Sequence, residues 1–310
     1  MYGQFFILFG LILVGYYCNK KGYLPLETNK NVGHMVMRVT IPAMLITTIA
    51  SIEITDRVLR AFLLSAAGQI AMMVVFGFLM RQYGRKRGLD SRLLPMLDLT
   101  AGSLNTGFIG LPVTMIFFGQ AGIIYMSAGV LALNLYLWSY GVYLISDKKA
   151  TGAAAIGKSF LQGAINPNCI SILLGTHTAR FVPTVVLGFL TKVGDLSTPL
   201  SLIYIGALAG GSGIVQLFKE KMALEISVVK MIGMPALAIL AMLFIPADGL
   251  AKSVFLLSVC MPSAAVVPVM VGRYGYGDKM SSDIVLWTTV LSMATLPLSV
   301  LLAAKLYGAV

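Results

Sequence analysis

The sequence predicts an all-α integral membrane protein with ten transmembrane helices in two inverted five-helix repeats, whose fourth and ninth helices are broken and cross. Three observations lead there: an apolar composition, ten apolar runs whose flanking charge alternates, and prolines that recur at one spacing. Hydrophobic residues make up 58% of the 310 and charged residues 11%, whereas a soluble domain carries about 25% charged residues. Mean hydropathy is +0.87, so the chain lacks the polar groups to cover a wetted surface. Ten crossings of a hydrocarbon core ~30 Å thick, at about 20 residues each, use nearly the whole length and leave no room for a soluble domain.

The apolar runs fall near residues 2–18, 33–50, 58–80, 95–118 and 122–145, then near 160–177, 185–211, 222–245, 250–272 and 282–304. The first run, Tyr2 to Cys18, has no basic residue before it and no small-residue cleavage site after it, so it reads as a retained helix. Assigning every second connector to the cytoplasm collects Lys20, Lys21, Lys30, Arg81, Arg85, Lys86, Arg87, Arg92, Lys148, Lys149, Lys158, Lys219, Lys221, Arg273 and Lys279 there. That is fifteen of the 23 basic residues. The opposite side keeps Arg57, Arg60, Arg180, Lys252 and Lys305, so both termini are expected outside the cytoplasm of a multi-pass cell-membrane protein. The net charge of +11 is thereby explained by membrane orientation. No segment interleaves basic and aromatic residues on a polar stretch, which argues against a nucleic-acid partner. Cys18, Cys169 and Cys260 all lie within apolar runs without a CxxC pair, so core positions are expected and no metal site.

Pro42 and Pro199 are 157 residues apart, while Pro112 and Pro268, like Gly119 and Gly275, are 156 apart. This spacing points to a repeat of 1–145 and 160–310 joined by a short cytoplasmic linker, 146–159. Five helices per half make the second half inverted. The rival explanation is chance alignment of prolines, which are common in membrane helices.

Prolines and glycines at membrane depth are tolerated where freed backbone is buried in protein or lines a cavity. In the fourth span Gly102, Gly107, Gly110 and Pro112 cluster at the middle, and in the ninth Pro262 and Pro268 do. Half-helices starting near Pro112 and Pro268 would aim their N-termini at one meeting point, which favours an anion. Asn105, seven residues before Pro112, could donate to a carboxylate there; a helix–helix hydrogen bond is the alternative. The expected substrate-contacting residues are Asn105, Gly107, Gly110, Pro112, Pro262, Ser263 and Pro268.

Ionisable residues within spans are costly and should face protein or water. Asp98 lies seven residues before Asn105, on nearly the same helical face, so it is a candidate proton carrier or cation ligand; a wet helix end is the alternative. Asp195 is the second ion-coupling candidate, although Lys192 at i−3 favours a structural pair. Glu225 and Lys230 fall towards the cytoplasmic end of the eighth span, where they are expected to snorkel. His34 and His177 lie near helix ends, and no catalytic triad, paired-carboxylate or phosphate-loop constellation appears.

Three stretches carry a resemblance to the auxin efflux carrier family. NTGFIGLP from Asn105 to Pro112 resembles its fourth-helix crossover, NPNCISILLG from Asn166 to Gly175 its sixth helix, and VVPVMVGRYG from Val266 to Gly275 its ninth-helix crossover. The resemblance runs from the first helix to the last. It implies a ten-helix fold with a scaffold part, a mobile transport part that holds the crossing helices, and a homodimer formed through the scaffold. The short linker resembles bacterial members, which implies a permease for an organic acid. Ser263, Ala264 and Ala265 depart from the plant pattern and disfavour an indole carboxylate. The expected function is a secondary carrier of a small organic anion working by alternating access, without a cofactor and with coupling to a proton or sodium. A membrane sensor that binds the same ligand and a channel are the rival classes; an enzyme is disfavoured.

Overall fold

The computed structural model describes residues 2–145, 165–178, 182–211, 220–242, 247–273 and 275–308. The expected linker 146–159 and the side chain of His177 lie outside the described residues. Regular structure among those residues is entirely helical. Six helical runs among the described residues are long and apolar enough to cross a membrane, so the chain is a multi-pass membrane protein.

The first helices are α1 (Tyr2–Lys20), α2 (Leu26–Ala50) and α3 (Asp56–Lys86). Helix α2 begins seven residues before the apolar run because Pro25 precedes it and Glu27 complements the dipole of its first turn. Its middle is a π-turn, Val36–Thr40, after which Pro42 sits in the second position of the straight part Ile41–Ala50. At the start of α3 the Thr55 side chain accepts the Val58 N–H, and Arg85 and Lys86 complete its last turn.

Next come α4 (Leu94–Gly102), a non-helical break at Ser103–Asn105, a π-turn (Thr106–Gly110), α5 (Leu111–Leu135), a further π-turn (Tyr136–Gly141) and α6 (Val142–Ile145). The run Leu94–Ile145 has 52 residues and at ~1.5 Å per residue would be about 78 Å long if straight. That is more than twice the ~30 Å hydrocarbon core. Gly119 breaks it, with φ 60° and ψ −159°, a backbone region essentially closed to other residues. Nothing lies within 4 Å of a Cβ built there, so Gly119→Ala isolates backbone strain. The expected cost is about 1–3 kcal/mol, read as a fall of the thermal midpoint by a few degrees; an unchanged midpoint would mean that the turn relaxes without strain.

The second part comprises α7 (Pro167–Thr178), α8 (Thr184–Asp195), α9 (Ser197–Gly211), α10 (Lys221–Met242), α11 (Gly249–Val259), α12 (Val267–Arg273) and α13 (Asp278–Tyr307). The helices sort into two packed groups. In one, α1 lies along α9 and α2 packs against α7, α8 and α9. In the other, α3 packs on α4 and α5, α10 and α11 pack on α13, and α11 crosses α5. The closest approach within the first group is backbone to backbone. A Cβ at Gly206 would overlap the Ile12 carbonyl, and one at Gly15 would overlap the Ile203 carbonyl, so small residues set the contact where lipid supplies no hydrophobic drive between helices. Cys169 and Cys260 are buried and Cys18 half-buried, all as free thiols.

Candidate functional site

Both breaks lie in the interior of the second group and satisfy each other. Where α4 ends, Ser103 turns extended (φ −68°, ψ 151°), and the Asn105 N–H donates to the Pro262 carbonyl at 2.8 Å. The Ala264 N–H donates to Ser103 Oγ at 3.1 Å, and the Ser263 N–H to Thr288 Oγ1 on α13 at 3.1 Å. Backbone that leaves a helix at membrane depth thus finds partners in the facing break and in α13, as burial without water demands.

Asn105 restarts the first broken helix. Its Oδ1 accepts the Phe108 N–H at 3.3 Å and its own carbonyl accepts the Gly110 N–H at 3.0 Å. The cap fixes the amide with its oxygen turned to the helix, and the amide nitrogen has no hydrogen-bond partner among the described residues. Asn105 also lines an enclosed cavity of about 30 Å³, walled by Tyr204, Ile205, Leu208 and Ala209 of α9, by Ala265 of the second break, and by Val285, Leu286, Thr289 and Val290 of α13. The Tyr204 ring stacks on Phe108 at 5.0 Å between centroids. The Asn105 amide therefore lines a mostly apolar chamber, whose other polar side chains are Tyr204 and Thr289, the latter bonded to the Val285 carbonyl. The chamber lies between the two packed groups, because α9 belongs to one and α13 and both breaks to the other. A wider recess of about 680 Å³ opens between α3 and the start of α11, lined by Asp56, Arg57, Arg60 and Asp248; Arg57 stands 4.0 Å from Asp248. Its walls carry charged residues and its shape is open, so it does not enclose a ligand.

A buried lysine joins the two breaks. The Lys230 ammonium, on α10, donates to the Ser103 carbonyl and to Ser263 Oγ, the latter at 2.9 Å. Lys230 is 1% exposed. The snorkelling expected for it from sequence is therefore corrected: Lys230 is the tenth of the 22 residues of α10, mid-helix, where a lysine stem cannot reach the interface. Glu225, one and a half turns earlier, does lie at the helix end, where Arg87 pairs with it at 2.7 Å and Tyr83 donates to it.

Asp98 is fully buried on a different face from the cavity. Its Oδ2 accepts from Tyr140 at 3.1 Å and stands 4.0 Å from the Arg81 guanidinium, while Oδ1 has no partner among the described residues. The seven-residue spacing from Asp98 to Asn105 does not carry a shared face, because the helix ends at Gly102 and the non-helical break resets the rotation. Asp195 is exposed at the end of α8, with no ion pair to Lys192 among the described residues.

Of the seven residues expected to contact substrate, Asn105 is the one that lines the cavity. Pro262 lies one hydrogen bond behind it through Asn105, and Ser263 accepts from Lys230, which does not line it. Gly107 faces Met37, and Gly110 packs on the Met126 sulfur. Pro112 and Pro268 occupy the second positions of α5 and α12. The first helix restarts at Thr106, six residues before Pro112 and earlier than expected, because the Asn105 cap and not the proline begins it. Sequence reading missed Lys230, Ser103, Tyr204 and Thr289. For Lys230 the signal was present in its mid-helix position; the others carry no mark that separates them from packing residues.

A polytopic helical membrane protein with paired broken helices at its centre belongs among the membrane transporters. A profile described as membrane transport protein matches residues 1–300, and the chain belongs to that family, the auxin efflux carrier family which its motifs resemble. Among its relatives are an uncharacterized transporter of Methanothermobacter thermautotrophicus, 26% identical over 295 residues, and one of Methanocaldococcus jannaschii, 24% identical over 296 residues. The alignments cover 93% of this chain in both cases and 93% and 94% of the relatives.

Proposed function

We propose that the protein is a secondary carrier for a small organic anion such as a carboxylate, held at the helix crossover beside Asn105 and moved by alternating access. The observation that carries this reading is the cavity. It lies between two packed groups of helices, presents one free amide donor, and at about 30 Å³ holds about one water. A carboxylic acid fits only if α9 and α13 part, so binding and movement of the groups are one event. The donor suits an acceptor such as a carboxylate oxygen, and the apolar walls suit a short hydrocarbon body.

In this reading the chain has ten transmembrane helices in two inverted repeats, 1–145 and 160–310, with the linker 146–159 and most connector lysines and arginines cytoplasmic. Both termini are then extracytoplasmic at the cell membrane, and two copies form a homodimer through the α1, α2, α7, α8 and α9 group. Matched local geometry supports the repeat. Pro112 and Pro268 hold the same helix position, and Gly119 and Gly275 both have positive φ, 60° and 74°. The pairings also exchange under a shift by five spans: α1 on α9 corresponds to α7 on α2, and α3 on α5 to α10 on α13.

A thermal-shift screen of carboxylic acids on purified protein tests the reading, since a ligand stabilises the state it binds. Short carboxylates are expected to raise the midpoint and uncharged or cationic analogues are not; a screen in which no acid acts would overturn it. Coupling is to a proton or to sodium, and Asp98 is the candidate group. Asp98→Asn is expected to remove the dependence of uptake on the gradient while leaving ligand binding measurable, and unchanged gradient-driven uptake would end that assignment.

A further inference from the structure

We infer that the Lys230 ammonium is a built-in cation that replaces a soluble coupling ion such as sodium at the crossing of the broken helices. In carriers with interrupted helices, unwound carbonyls and the C-terminal ends of half-helices gather partial negative charge, which a sodium ion or a proton neutralises. Here α4 ends at Gly102 and α11 at Val259. The breaks that follow meet at Lys230 Nζ, which donates to the Ser103 carbonyl, the first past α4, and to Ser263 Oγ in the second break. No carboxylate pairs with Lys230 among the described residues. A buried ammonium without a counter-ion is costly, and a neutral side chain of the same length would fill the space; the arrangement is accounted for if its charge is needed there. Ser103 and Ser263 each lie two residues from a cavity-lining residue, Asn105 and Ala265, so the same charge stands behind the chamber without entering it. Lys230 therefore acts as a positioning residue: it ties the two breaks together and sets a positive potential at the site.

The inference concerns the empty protein and does not depend on which substrate is carried. The experiment is thermal unfolding of purified protein without substrate, in sodium chloride against choline chloride at equal ionic strength. In wild type any sodium effect on the midpoint is expected to vanish in Asp98→Asn, since the cation position at the crossing is filled; a midpoint raised by sodium in Asp98→Asn as well would overturn the inference. Lys230→Ala is expected to unfold several degrees lower and to recover on addition of n-propylammonium, which restores the three missing methylene groups and the charge. Lys230→Met, which keeps the stem but for one atom and loses the charge, is expected to unfold at a lower temperature than the wild type. Failure of n-propylammonium to act on folded Lys230→Ala, or a Lys230→Met midpoint equal to wild type, would assign Lys230 to packing alone. If neither Lys230 variant folds, the sodium comparison of wild type and Asp98→Asn still decides.

Discussion

Gly206→Leu is expected to abolish recovery of folded, monodisperse protein. A Cβ at this position already overlaps the Ile12 carbonyl, and the obstacle is main chain of α1, which cannot swing aside as a side chain can. Relief requires α1 and α9 to separate along their length, so the cost exceeds the ~3 kcal/mol upper end of ordinary overpacking. Gly10→Leu on the facing helix α1 is the control, because nothing lies within 4 Å of a Cβ there. Size-exclusion profiles of the two variants check the prediction. A Gly206→Leu protein as monodisperse as Gly10→Leu would show that the α1–α9 contact is looser than described.

The second large effect is on binding. Asn105→Ala removes the amide that faces the cavity, and a hydrogen bond to a charged group contributes about 1.5–3 kcal/mol. Affinity for the best carboxylate should fall by roughly ten- to a hundredfold. The same change removes the cap on the Phe108 N–H, worth about 1 kcal/mol of stability. Asn105→Asp separates the two roles, since it keeps an oxygen for the cap and removes the donors. It is expected to bind the anion at least as weakly as Asn105→Ala while unfolding at a temperature closer to the wild type. Equal affinities in wild type and both variants, measured by titration calorimetry, would make Asn105 a packing residue.

Much of the architecture was legible in the sequence because membrane helices must be apolar for their whole length. The run from residue 58 to 80 became α3, and glycine and proline marked the two interruptions. The details that escaped depend on rotation and depth, which composition does not encode. Asp98 and Asn105 look aligned on an unbroken helix, yet the three-residue non-helical break between Gly102 and Thr106 turns them to different faces. Lys230 was legible in part, because the apolar run from 222 already sets it well inside the helix, although nothing in the run shows which neighbours would hold its amine. Tyr204 is one aromatic in an apolar run, and its place on the cavity wall follows only from how α9 meets α13. Pro112 was the more conspicuous residue, but it stands within the restarted helix while the quieter Asn105 begins it.

The central claim, a carrier that alternates around the crossover, is tested most directly by counterflow in proteoliposomes. Vesicles preloaded with the carboxylate that binds best are diluted into a trace of the same acid carrying a radiolabel. A carrier concentrates the label transiently above its external level, and Asn105→Ala at the same protein density should do so at a rate lower by about the affinity ratio. A sensor gives no protein-dependent uptake, and a channel equilibrates the label without overshoot. Either of those results in the wild type would contradict the account.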